Sequence, residues 1–248
     1  MLGIVVALPW ELKSLTRQTL QPGACTSIRE DITVALSGIG AERAYAAAAL
    51  LVSRGATALL GWGYAAALDH RVTAGSLLLP KRIIGLNGES HPVNAEWHRR
   101  LCENLSHRSP IYTDALVESA AILKTSSEKR ALAEQTQATA TDMESAAQAR
   151  LARERLLPFV VVRAVVDTAS TPIPENVMQA LDSEGDLCVR NLLSKVLLRP
   201  ADWIPVAKLG IQFRAAQKTL KETSTLVLNT SQVYLEGHSP DATTSSRG

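Results

Sequence analysis

The chain has 248 residues, 46% of them hydrophobic, with 26 Lys and Arg against 24 Asp and Glu for a formal net charge of +2. That is enough apolar material to bury the core of one large α/β domain with an appendage, and the near balance of charge excludes a global basic field and nucleic acid as the main partner. Cys25, Cys102 and Cys188 are widely spaced and lack the spacing of a zinc site or redox pair, so no metal is expected and the thiols read as those of a reduced, cytoplasmic protein.

The opening MLGIVVALPWE is too short for a membrane span and lacks the basic start and cleavage pattern of a signal peptide. It reads as a buried strand over Leu2 to Leu8. Glu11 follows Pro9 and Trp10, in the first turn of a helix, where an acid suits the helix dipole. Further Val, Ile and Leu-rich runs predict strands at Ile32 to Leu36, Ala58 to Gly61, Ser76 to Leu79 and Phe159 to Val166. Amphipathic or Ala-rich stretches predict helices at Ala41 to Arg54, Ala95 to Ser106, Ser126 to Glu134 and Asp142 to Glu154. The alternation predicts an α/β fold with a largely parallel or mixed sheet covered by helices.

Glycines punctuate two of these strands, Gly38 and Gly40 in SGIGAERA and Gly61 and Gly63 in GWGYAAAL. They serve either as plain turns or as places where backbone approaches a ligand at the carboxyl end of a sheet. Arg43 is an exposed helix cation or an anion ligand. Thr141 to Glu144 fits a T-x-x-E capping box, and the same carboxylates at a helix start can clamp two adjacent sugar hydroxyls. Asp167 ends FVVVRAVV and precedes TASTPIP, where it either caps the turn or faces a ligand. Arg163, inside that apolar run, reads as a buried, paired structural residue.

From Val189 the composition becomes basic, predicting two helical pieces split by Pro200 and Pro205, followed after Asn229 by a disordered polar tail. Leu197, Leu198, Trp203, Ile204, Val206, Leu209, Ile211 and Phe213 interleave with Lys and Arg. This pattern suits an interfacial element over 191–222 or helices packed on the domain.

Five motifs in order, GIVVALPWE, SGIGAERA, GWGYAAAL with VTAGSLLLP, TDMESAA and PFVVVRAVVDTAS, resemble the nucleoside phosphorylase and nucleosidase superfamily, most visibly the methylthioadenosine/S-adenosylhomocysteine nucleosidases. The resemblance covers residues 2 to 190. It implies a phosphorylase/hydrolase-like three-layer α/β fold with a mixed, twisted central sheet, N-glycosidic bond cleavage without metal or cofactor, and a homo-oligomer. By position, Glu11 matches the acid that activates the attacking water and Asp167 the acid that serves the departing purine at N7. Glu144 matches the ribose-hydroxyl ligand, Met143 the residue packed on the sugar, and Asp142 a position where the nucleosidases have Glu. Leu116 and Val117 fall near the base-binding segment.

Gly63 and Tyr64 fall at the sugar, where Tyr64-Ala65-Ala66-Ala67 replaces the small polar residues of many relatives. The phosphate-binding Arg and Ser of bacterial purine nucleoside phosphorylases have no counterpart in LLGWGYA, which favours hydrolysis. Gly40 and Arg43 are the residues left to hold inorganic phosphate if it is a co-substrate. The basic extension 191–228 resembles that of the hopanoid-associated phosphorylase-like branch, implying adenosylhopane as substrate at the inner face of the membrane. A soluble methylthioadenosine, S-adenosylhomocysteine or futalosine-type nucleosidase, and a non-catalytic nucleoside-lipid carrier, are the competing expectations.

Overall fold

The computed structural model describes residues 1–106, 110–173 and 203–237. Its strands are β1 (Leu2–Val6), β2 (Cys25–Arg29), β3 (Ile32–Leu36), β4 (Ala58–Ala67), β5 (Leu77–Leu78), β6 (Arg82–Ile84), β7 (Ser90–Pro92), β8 (Ile111–Tyr112), β9 (Leu116–Glu118), β10 (Ala140–Asp142) and β11 (Phe159–Asp167). The helices are α1 (Pro9–Leu12), α2 (Ala41–Ser53), α3 (Ala95–Leu105), α4 (Ser126–Thr136), α5 (Ser145–Glu154) and α6 (Trp203–Glu236). All these strands belong to one mixed sheet with the path β2-β3-β1-β4-β10-β9-β6-β7, while β11 pairs with β4 and β5, and β8 with β5.

Side chains alternate across the sheet, and the two faces carry separate cores. Ile4, Val6, Leu60, Trp62, Val160 and Val162 point to the face that also holds Trp97 and Leu101 of α3 and Leu220 and Val227 of α6. Val5, Leu59, Val161 and Val165 point to the other, against Ala47 and Leu51 of α2 and Ala149 and Leu151 of α5. Two-sided burial explains why these strands read as continuous apolar runs. The three-layer arrangement follows.

β4 runs on to Ala67, past the end at Gly61 that its glycines suggest. Those glycines are there for space. A side-chain carbon on Gly61 would press on Gln148, and one on Gly63 would run into the Glu11 carboxylate. Along one edge, β4 pairs in parallel with β1 up to Gly61 and antiparallel with β10 at Ala66 and Ala67. Its other edge stays on β11, with a bulge between Val165 and Asp167.

The T-x-x-E box is at Thr125 to Glu128, where Thr125 Oγ1 accepts the Glu128 N–H (3.2 Å) and Glu128 Oε2 accepts the Thr125 N–H (2.9 Å). Thr141 and Asp142 instead finish β10, and α5 begins at Ser145 with Glu144 at its cap position. Pro205 does not split a helix; it sits in the first turn of α6, where no N–H is needed.

That helix also passes Asn229, where a disordered tail is expected, and continues to Glu236. Its end is held by tertiary contacts: Tyr234 stacks on Trp97 (centroids 5.3 Å apart), Trp97 Nε1 donates to Ser231 Oγ (3.1 Å), and Gln232 Nε2 donates to Asp31. The boundary at 190/191, the residues Leu197, Leu198 and Pro200, and the tail from 238 lie outside the described residues.

Candidate active site

A cavity of about 210 Å³ opens where β4, β10 and β11 end, lined by Glu11, Tyr64, Asp142, Met143, Glu144 and Asp167 together with apolar side chains such as Leu8, Ile39 and Ile122. Each acid reaches it for a local structural reason. The four-residue α1 puts Glu11 beside the gap between β1 and β10 on the edge of β4. There Glu11 Oε1 accepts the Tyr64 N–H (2.8 Å), and Oε2 accepts the amides of Ala7 (2.7 Å) and Leu8 (2.9 Å). Three backbone donors fix this carboxylate, and burial raises its pKa, partly offset by Arg163.

Glu144 is also buried; its Oε1 accepts the Gly40 N–H (2.9 Å) and its Oε2 that of Met143 (3.2 Å). Burial first, then the nearby Asp142, pushes its pKa up to about 8. Gly40, with φ of 103°, thus turns its amide onto Glu144.

Asp142 lines the cavity but its oxygens are engaged elsewhere. Oδ2 accepts Arg163 Nε (2.8 Å) and the Ser145 hydroxyl, while Oδ1 accepts the Ser145 N–H (3.1 Å). It anchors the start of α5 and neutralises Arg163. Arg163 Nη2 also donates to Ser145 Oγ (2.9 Å). Burial works against this guanidinium's charge, but Asp142, Glu11 and Glu144 hold its pKa up.

Asp167 stands just after the β11 bulge, a device that re-aims a strand-end side chain. It is buried, and burial raises its pKa against the pull of Lys129, which bonds Asp167 Oδ2. Sequence reasoning passed over Lys129, because a lysine in a polar helix such as α4 has no pattern separating it from a solvated one. Glu118, equally unnoticed, accepts the Ala147 N–H (3.3 Å), and burial followed by Asp142 raises its pKa to about 7.

Leu116 and Val117 do not line this cavity, because β9 turns Leu116 into the core beneath α2 and α5 and Val117 into a small separate cluster with Leu68, Ile84, Ala115 and Ala138; Ser119, Ile122 and Leu123, just beyond, do line the cavity. Gly63 lies behind Glu11 as the residue that makes room for it. Arg43 lies against Gly38, whose missing side chain leaves space for the guanidinium, and is not among the cavity residues.

A family model described as the phosphorylase superfamily matches residues 2–195. The chain belongs to the phosphorylase superfamily. Membership makes it an enzyme of N-glycosidic bond cleavage. Solved structures of similar fold include the 5′-methylthioadenosine/S-adenosylhomocysteine nucleosidase of Helicobacter pylori in complex with a substituted pyrrolidin-3-ol. It has a TM-score of 0.69 and 14% identity, covering 93% of this chain and 97% of that one. The futalosine hydrolase of the same organism gives 0.66 and 16%, covering 92% and 95%. The Neisseria meningitidis nucleosidase with methylthio-immucillin-A gives 0.65 and 16%, covering 92% and 96%. No curated protein sequence matches the chain. The phosphorylase-superfamily fold accounts for the strand-end position of the cavity, the usual place for ligands in open α/β sheets.

Proposed function

We propose that the protein is a purine nucleosidase that transfers the glycosyl group of its substrate to water. The observation that carries this reading is that Glu11, Glu144 and Asp167, distant in sequence, line one cavity. Cleavage passes through an oxocarbenium-like state, in which positive charge grows on the sugar and negative charge on the leaving base. Glu11, locked by three amides, orients the water and takes its proton. Glu144 receives the ribose hydroxyls and, when ionised, steadies the sugar cation, with Met143 against the ring. Asp167, in apolar surroundings, presents a proton to purine N7.

Hydrolysis is favoured over phosphorolysis because, among the described residues, the cavity lining carries four carboxylates and no Lys, Arg or His. A phosphate dianion would find no cationic side chain in that lining to bind it. The intact acids also favour an enzyme over a carrier.

The substrate we propose is adenosylhopane, cleaved at the cytoplasmic face of a membrane by a homo-oligomer. It is supported by the apolar side chains among the cavity residues and by exposed Trp203, Ile204 and Ile211 on α6, the helix that carries Lys208, Arg214, Lys218 and Lys221. No helix among the described residues is long and apolar enough to cross a membrane.

The test is release of free purine from adenosylhopane, methylthioadenosine, S-adenosylhomocysteine, adenosine and inosine, each with and without phosphate. Purine release from adenosylhopane without phosphate is expected. Phosphate-dependent release refutes hydrolysis, and a preference for a soluble nucleoside refutes the lipid substrate. Cosedimentation with anionic vesicles should fall when Trp203 and Ile204 are both replaced by Ser.

A further inference from the structure

Lys129 is fully buried, and its ammonium has three acceptors: Asp167 Oδ2, the Thr168 carbonyl (2.9 Å) and the Thr171 carbonyl (3.0 Å). Those are all the donors a lysine has. A buried ion pair is weak as a source of stability, since desolvation offsets most of the attraction. This one ends at the acid that faces the cavity, and among the described residues Asp167 Oδ1 accepts no hydrogen bond from the protein.

We propose that Lys129 is the proton source behind Asp167, recharging the carboxyl that protonates the departing purine. The inference rests on the nucleosidase reading and deepens it. The step starts with Asp167 protonated on Oδ1 and Lys129 donating to Oδ2; as the C1′–N9 bond breaks, its electron pair goes to the base and N7 takes the Oδ1 proton. Asp167 Oδ2 takes one from the Lys129 ammonium, leaving a neutral amine that solvent later reprotonates. Water adds its oxygen to C1′ and gives its proton to Glu11. The protein therefore ends the step with one proton fewer at Lys129 and one more at Glu11.

The surroundings suit this exchange. Among the described residues Lys129 is the one charge acting appreciably on Asp167, and burial of the carboxyl opposes its pull. The other charged groups at the cavity are engaged elsewhere: Asp142 with Arg163, and Glu11 and Glu144 with backbone amides. Glu128, next to Lys129 on α4, faces outward onto the Lys124 and Thr125 amides. Gln212 of α6 reaches this loop through Thr171 Oγ1 (3.1 Å) and carries no charge.

A tether for the 168–171 loop would use the same three bonds, so the test turns on the leaving group. Lys129→Met and Lys129→Arg are compared with wild type on the best nucleoside of the panel above and on 4-nitrophenyl riboside, whose leaving group departs as a stable anion without a proton. Lys129→Met is expected to lose about 10²-fold in kcat on the nucleoside and to retain wild-type turnover of the nitrophenyl compound, which also reports that the variant is folded. Lys129→Arg keeps the ion pair but cannot give up a proton, and should show the same split.

Equal losses on both substrates, no loss on either, or full nucleoside activity in Lys129→Arg would each overturn the relay while leaving the nucleosidase reading intact. A wild-type protein that cleaves neither compound refutes that reading and this inference together.

Discussion

Replacing Arg163 by Met removes the buried cation around which the acidic site is organised. Its side chain and that of Asp142 are 3% and 2% exposed, and the variant strands the Asp142 charge in the interior while taking a donor from Ser145. Breaking one side of such a pair costs about 3–5 kcal/mol, or roughly 6–20 °C in Tm for a chain of this size. Asp142→Asn/Arg163→Met should recover most of that loss, because Asn keeps an oxygen for the Ser145 amide and no buried charge remains. Urea unfolding of wild type, both single variants and the double variant gives the coupling directly. Turnover should fall in Arg163→Met as well, since the cation offsets the rise of both the Glu11 and Glu144 pKa values. An Arg163→Met protein within about 1 kcal/mol of wild type, or a double variant whose loss equals the sum of the singles, would refute the reasoning.

Gly63→Ala should keep its far-UV circular dichroism yet lose about 10²-fold in kcat/KM, because the new methyl occupies the place of the Glu11 carboxylate; wild-type turnover would remove Glu11 from the water's path. Glu144 has a folded pKa of about 8 against an ordinary 4.5, so its contribution to stability is whole below pH 4.5 and is lost as pH rises through 8. Tm should decline across that window and decline less in Glu144→Gln; parallel profiles would count against the burial argument. Tyr234→Ala should lower the unfolding free energy by about 3–5 kcal/mol through loss of the Trp97 stack, and an unchanged urea midpoint would return this segment to the status of a loose tail.

Much of the architecture could be read from local pattern because strands buried on two faces announce themselves: Leu2 to Val6, Ile32 to Leu36 and Phe159 to Asp167 are built almost wholly of apolar residues. The burial of Arg163 was legible for the same reason, since no solvated face interrupts its strand. What escaped was set by distant neighbours. Gly61 and Gly63 look like punctuation until Gln148 and Glu11 are seen against them. Thr141 to Glu144 has the letters of a capping box, but pairing of β10 with β9 and β4 claims its first residues for the sheet. The polar run after Asn229 holds no apolar stripe strong enough to predict a helix, and is ordered through Arg29, Asp31 and Trp97, all far upstream.

The attachment of Gln232 to Arg29, 203 positions earlier, bears on how the molecule is made. During synthesis the amino-terminal strands leave the ribosome long before the helix that joins Leu2, Ile4 and Leu36 in one core exists, so their greasy face waits for that helix. A helix translated long after them closes these strands, and a nascent chain stalled short of it is an open sheet, prone to stick to its neighbours.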